Sequence, residues 1–328
     1  MKNTIKITVG ALLVFSAGML ISQAILKSKN KTAKHPHFDE NKKCNYLYLN
    51  PLRCEGSIIS ERTALARIEK DVKDLVNKKI RTGEAKDISV YYRDLHNGPI
   101  ISINEDTLFT PASLLKVPIM LMYYKMAEVN PKILEAKTGK DYEPTAEMNV
   151  TDINQSIKAH TEYTIQELID KMIKYSDNRS KQLLLLYLEE INPDFDLYLQ
   201  TINDLGIITD PNKIDDFISV KTQASIYRVL YNAAYLNNEM SEKALKLLTQ
   251  AEFSEGIAAG IPSHIPIAHK FGDRIGTNGE IQRHDCGIVY VPDNNYLICV
   301  MTRGWDANKL SNSIKEISKM IYTESVSN

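Results

Sequence analysis

Apolar residues run without a charge from Ile7 to Leu26, ITVGALLVFSAGMLISQAIL, and only later settle into periodic patterns. Wound as a helix, such a run reaches about 30 Å, the depth of a bilayer core. Its apolar residues surround the helix instead of forming a stripe, which disfavours a buried core helix. Lys2 and Lys6 precede it and Ser22-Gln23-Ala24 brings small residues near its end, so residues 1–26 are expected to form a signal-anchor or a cleaved signal peptide. Residues 27–56, rich in Lys and Asn, read as an extracytoplasmic linker. Lys27, Lys29, Lys31 and Lys34 place charge on the side usually kept cytoplasmic, so the orientation rests on other features.

Periodicity then takes over. Leu65, Ile68, Val72, Leu75, Val76 and Ile80 recur at helical spacing and predict an amphipathic helix over 60–81. Ile88, Val90 and Tyr92 alternate, and Asn97-Gly98 followed by 99–103 predicts a hairpin. From Ser113 to about Gly260 the pattern is helical, with Thr164 and Glu167 spaced as a capping box. Strand signals return at 265–275, 285–291 and 296–302, the last two joined by the turn Pro292-Asp293-Asn294-Asn295, before a last helix carrying Leu310, Ile314, Ile317 and Ile321. This order predicts a two-lobed α+β domain over 57–328. An antiparallel sheet is built from both chain ends and flanked by helices, an all-helical lobe spans about 110–260, and a cleft lies between them.

Composition narrows the function. Of 328 residues, 43% are hydrophobic and 40 basic side chains face 41 acidic ones, so the chain is an ordinary globular protein with no global pull toward nucleic acid. The cysteines lack zinc-type spacing. Cys44 and Cys54 enclose a short loop that an oxidising compartment would close, or that holds two free thiols; the same question attaches to Cys286 and Cys299 on neighbouring strands. His96, His160, His264, His269 and His284 show no ligand spacing, and His269 is expected to pack beside Lys270. No nucleotide-binding glycine loop is present, so no cofactor or metal is expected.

Three short segments carry chemistry. In FTPASLLKVPIM, Ser113 lies three residues before Lys116, so a helix starting near Ala112 puts a nucleophile and a base on one face. Pro118, just inside that helix, removes a backbone bond at a cost of up to about 3 kcal/mol, which functional sites tolerate. Tyr175-Ser176-Asp177-Asn178 falls between two helical patterns; its serine suits proton relay and its asparagine suits holding a carbonyl or the base. Lys270-Phe271-Gly272 lies on a strand. Its lysine adds charge that depresses Lys116 and attracts a carboxylate, its glycine admits a substrate backbone, and the N–H of Asp273 would complete an oxyanion hole with that of Ser113.

In this order the segments, with EGIAAGIPSHIPIAHKFGD and HDCGIVYVPDNNYLICVMTRG, resemble the class A β-lactamase-like branch of the penicillin-recognising serine hydrolases, from about Asp87 to the last helix. The resemblance implies that Ser113 is acylated, Lys116 is its base, Ser176 relays protons and Asn178 binds substrate or lysine. It also implies that Lys270, Gly272 and Asp273 form the strand edge. The chain departs from the family twice. Phe271 replaces the hydroxyl that helps bind the substrate carboxylate, and the loop after Ser-Asp-Asn offers Asp210, Asp215 and Asp216 where efficient β-lactamases keep a water-activating glutamate. The expectation is therefore a membrane-tethered, extracytoplasmic, monomeric serine acyl hydrolase acting on β-lactams or D-Ala-type peptidoglycan amides, with slow deacylation. A D,D-peptidase, transpeptidase or esterase is the alternative, and a non-catalytic cell-wall-binding module a second.

Overall fold

The computed structural model of the chain describes Tyr48 and residues 62–95, 100–144, 154–207 and 215–326. The apolar run 7–26, the linker apart from Tyr48, the Cys44 and Cys54 pair, His96 and the Asn97-Gly98 turn lie outside the described residues. Among the described residues no helix is long and apolar enough to cross a membrane. Tyr48, within the segment read as a linker, meets Tyr290 edge-on with ring centroids 5.0 Å apart.

Strands β1 (Asp87–Asp94), β2 (Ile100–Ile103), β3 (Ile267–Ile275), β4 (Ile281–Val289) and β5 (Tyr296–Gly304) form one sheet in the order β2-β1-β5-β4-β3, every neighbour antiparallel. The sheet is thus assembled from both ends of the chain, as the pattern predicts. Both its faces are covered, and the pleat divides the side chains between them. Along β5, Leu297, Cys299 and Met301 enter the core shared with the helical lobe. Tyr296, Ile298 and Val300 enter a second core under α1 (Arg62–Arg81) and the last helix, Ala307–Val326. Cys286 and Cys299, opposite one another on β4 and β5, are joined in a disulfide.

The helical lobe is built around α2 (Lys116–Val129), whose residues from Lys116 to Tyr124 are all buried, as a helix apolar on every side requires. Around it lie α3 (Ile165–Lys174), α4 (Asn178–Ile191), α5 (Asp196–Asp204), α6 (Val220–Tyr231) and α7 (Asn238–Leu248), with Ala307–Val326 completing the series as α8. The capping box forms: Thr164 accepts the Glu167 N–H, and Glu167 accepts the Thr164 N–H at 2.7 Å. Two ladders of two residues per strand, Leu108–Phe109 with Ile218–Ser219 and Lys137–Thr138 with Tyr163–Thr164, are too short to register as an alternating pattern.

β4 begins at Ile281, four residues before the sequence pattern places it, because Gln282, Arg283 and His284 are polar strand residues with dedicated partners. Gln282 Oε1 accepts the Thr110 N–H at 2.9 Å, and His284 Nε2 donates to Thr110 O at 2.9 Å. Nδ1 of His284 accepts the Thr302 N–H at 3.2 Å, so both bonds require the neutral ring. Burial pushes the imidazole pKa down to about 4 from its usual 6.5. The unfolded chain takes up a proton that the native state refuses between these values, so stability falls as pH drops through that window, by about 3 kcal/mol. Thermal melts from pH 7 to 4 are expected to show a shallower loss in His284→Gln than in the wild type.

Candidate active site

Ser113 sits in a 3-10 turn, Ala112–Leu115, that runs directly into α2. In 3-10 winding residues three apart eclipse, which lines Ser113 up with Lys116 more closely than the single α-helix read from sequence. The α-helix itself starts at Lys116, so Pro118 lies in its first turn, where N–H groups lack intrahelical partners. The cost assigned to it as an interior proline therefore does not arise. Strain is stored instead at Ala112 (φ 49°) and Ser176 (φ 55°), both in the left-handed region, at about 1–3 kcal/mol each.

Lys116 Nζ lies 3.0 Å from Ser113 Oγ and 2.9 Å from Ser176 Oγ, and donates to Ser176 O at 2.5 Å. The side chain is 1% exposed. Burial, then the charges of Lys270 and Lys181, hold its pKa well below the usual lysine range against the pull of Asp177 and Asp273. A neutral amine has two N–H donors and one lone pair. The carbonyl takes one donor, so the lone pair can face a hydroxyl.

Ser176 and Asn178 flank Asp177, whose buried carboxylate caps α4 by accepting the Arg179 and Ser180 N–H groups, each at 3.2 Å, and the Ser156 hydroxyl at 2.8 Å. Asp before a helical pattern is a cap signal, and here Asp177 is the cap. Asn178 lines the cavity in front of Ser113.

Lys270 is fully buried and donates to Ser176 Oγ at 2.9 Å and to Phe271 O at 3.0 Å. Burial lowers its pKa to about 7. It thus reaches Lys116 through a shared hydroxyl, as a base-tuning charge would. It does not offer its amine to a carboxylate in the cavity: the ammonium is 4.1 Å from the Phe271 ring centroid, inside the protein. Gly272 also acts differently from expectation. A Cβ there would fall 2.9 Å from Pro111 O and 3.1 Å from Ser113 N, so its bareness lets β3 lie against the turn that carries Ser113. The close approach is by the chain's own backbone. β3 is an edge strand, and the Asp273 carboxylate pairs with Arg283 Nη2 at 3.1 Å. His269 pairs with buried Asp285 at 2.9 Å, a partner that its position next to Lys270 does not suggest.

A cavity of about 640 Å³ opens in front of Ser113, Ser176 and Asn178, bounded by Phe253, Phe271 and Asp273. A second recess of about 290 Å³ lies beside Ser113 and Lys116; Asn178, Lys181 and Leu185, one face of α4, line it with Tyr198. Of the acidic candidates, Asp210 lies outside the described residues. Asp215 binds Arg274 Nη1 at 2.5 Å, and Asp216 accepts from Thr110 Oγ1 at 2.9 Å, Gln282 Nε2 at 2.7 Å and Arg303 Nη2 at 2.7 Å. Asp216, with Gln282 and His284, clamps Thr110 and so fixes the approach to Ser113; neither Asp215 nor Asp216 lines either space beside the nucleophile. Clamp and recess both escaped sequence reasoning, since their members are far apart in the chain.

A serine backed by a buried lysine, where a helical lobe meets the edge strand of an antiparallel sheet, defines a β-lactamase-like serine hydrolase. Comparison with solved structures supports the fold. PBP-A matches with a TM-score of 0.66 at 20% identity, over 80% of this chain and 97% of that one. A mutant of PBP-A solved as an acyl-enzyme complex with penicillin G matches with the same score and identity. A representative class A β-lactamase from Bacteroides cellulosilyticus matches with a TM-score of 0.69 at 16% identity, over 82% of this chain and all of that one. No curated protein sequence matches. A model of the beta-lactamase enzyme family matches residues 67–325, and the chain belongs to that family.

Proposed function

We propose that the protein is a membrane-tethered serine acyl hydrolase that forms a long-lived ester at Ser113 with a β-lactam or a D-Ala-type amide. The observation that carries this reading is the 3.0 Å separation of Lys116 Nζ from Ser113 Oγ in a buried setting that holds the amine's pKa well below the usual lysine value. As Ser113 Oγ bonds to the carbonyl carbon, Lys116 takes its proton. The carbon–nitrogen bond then breaks, and the proton passes through Ser176 Oγ to the leaving nitrogen. The N–H groups of Ser113 and Asp273 hold the developing oxyanion, and Asn178 orients the acyl group.

Slow deacylation follows from the recess beside the nucleophile. Its one carboxylate among the described residues, Asp273, is paired with Arg283, and an amine, Lys181, occupies the α4 wall. Among the described residues a water there has no free carboxylate base, which favours a D,D-peptidase or slow β-lactamase over an efficient one. The apolar run 7–26 and the Cys286–Cys299 disulfide support an anchored, extracytoplasmic protein. Intact-mass measurement after prolonged incubation with penicillin G is expected to show addition of one whole penicillin to the wild type and none to Ser113→Ala. Unchanged mass in both proteins would sink the reading.

A further inference from the structure

The recess of about 290 Å³ beside Ser113 holds a cation with nothing to neutralise it. Lys181 stands one turn along α4 from Asn178, half-buried, and among the described residues it forms no ion pair or hydrogen bond. Burial alone shifts its pKa, downward, and its charge in turn helps to depress that of Lys116. The other charges about the recess are spoken for. Asp273 pairs with Arg283 Nη2 at 3.1 Å, and Arg274 has Asp215 on Nη1 at 2.5 Å. Asp177, behind the recess, is taken up by the Arg179 and Ser180 N–H groups. Lys181 therefore leaves the space next to the nucleophile with an uncompensated positive charge.

The relay serine decides which part of a substrate meets that charge. Ser176 lines the main cavity and not the recess, whereas Asn178 lines both. A leaving nitrogen that takes its proton from Ser176 departs into the main cavity, so the recess faces the portion that stays on Ser113. We infer that the acyl donor carries a carboxylate on its acyl side, seated in the recess against the Lys181 ammonium. The inference rests on the acyl-transfer reading above and narrows its substrate to an amide or lactam whose retained portion is anionic. An ammonium partly withdrawn from water without a counter-charge is unfavourable, and an anion brought by the substrate offsets that cost through a charge-assisted hydrogen bond. The same anion displaces water from the recess, in keeping with slow deacylation. The bonds made and broken are unchanged: the Ser113 ester forms, the acyl–nitrogen bond breaks, and the leaving nitrogen takes the Ser113 proton by way of Lys116 and Ser176, with the carboxylate a spectator.

A matched pair tests it: penicillin G and carbenicillin, which differ by one carboxylate on the benzylic carbon of the acyl side chain, with second-order rate constants for Ser113 acylation followed by intact mass. Carbenicillin is expected to acylate the wild type about tenfold faster, a difference of about 1.4 kcal/mol. Lys181→Met is expected to erase that ratio and Lys181→Glu to reverse it. Because the ratio is taken within each protein, any effect of the substitution on Lys116 or on the folded fraction cancels. A wild type that takes penicillin G at least as fast as carbenicillin, or a preference that survives either substitution, would overturn the inference while leaving acyl transfer standing. Failure of both compounds to modify Ser113 would overturn the acyl-transfer reading and this inference with it.

Discussion

Lys116→Met is expected to slow acylation of Ser113 by about 10³-fold, within the range general-base catalysis supplies. The amine is within hydrogen-bond reach of the attacking hydroxyl, and burial lowers its pKa, so it sheds its proton more readily than an ordinary lysine. In the wild type the acylation rate should therefore fall with decreasing pH as Lys116 gains a proton, at a pH well below the usual lysine value. Lys116→Arg keeps a charge that cannot be shed and is expected to be as slow as the methionine variant at every pH. Rates of mass increase with a β-lactam from pH 5 to 9 would decide it. An arginine variant that retained the wild-type pH profile would refute the role of base.

Lys270→Met is expected to do two opposite things: slow acylation by about 10²-fold and raise thermal stability at neutral pH. The pKa of Lys270 is depressed to about 7 by complete burial, against 10.5 in the unfolded chain, so the native state binds fewer protons than the unfolded state between these values. Stability contributed by deprotonation thus rises with pH across this window. At pH 7 and below most or all of the penalty remains, on the order of 5 kcal/mol. Methionine removes it but leaves Phe271 O and Ser176 Oγ each short of a donor, at about 1–3 kcal/mol apiece. The net expectation is a gain of about 2 kcal/mol, or roughly 5 °C in melting temperature. The gap between variant and wild type should close as pH approaches 10. A variant less stable than wild type at pH 7 would mean that the bonds to Ser176 and Phe271 outweigh the cost of burying the charge.

The sheet's assembly from both chain ends was legible because Ile88, Val90 and Tyr92 alternate in β1, β5 is a short apolar run that follows a turn, and the final helix keeps an apolar stripe. That Ser113, Lys116, Ser176 and Lys270 belong to one place was legible because each sits in a short motif, and the four side chains do meet. What could not be read depends on residues distant in the chain. Gly272 looks like an opening for substrate until Pro111 and Ser113 are seen against it. Lys270 reads as a cation open to a substrate carboxylate until its amine is found buried against Ser176 Oγ and Phe271 O. Gln282 and His284 read as loop because strand polarity is a poor guide where every polar side chain has a buried partner.

The pairing of β1 with β5 brings Asp87 opposite Arg303. A ribosome that has released the first hairpin must still add most of the polypeptide before that hairpin finds its neighbour, so little of the sheet can nucleate early. The sheet therefore stays incomplete until the last strand is free to pair with β1. A truncation lacking β5 would be left with β1 and β2 as an orphaned ribbon, prone to stick to its own kind.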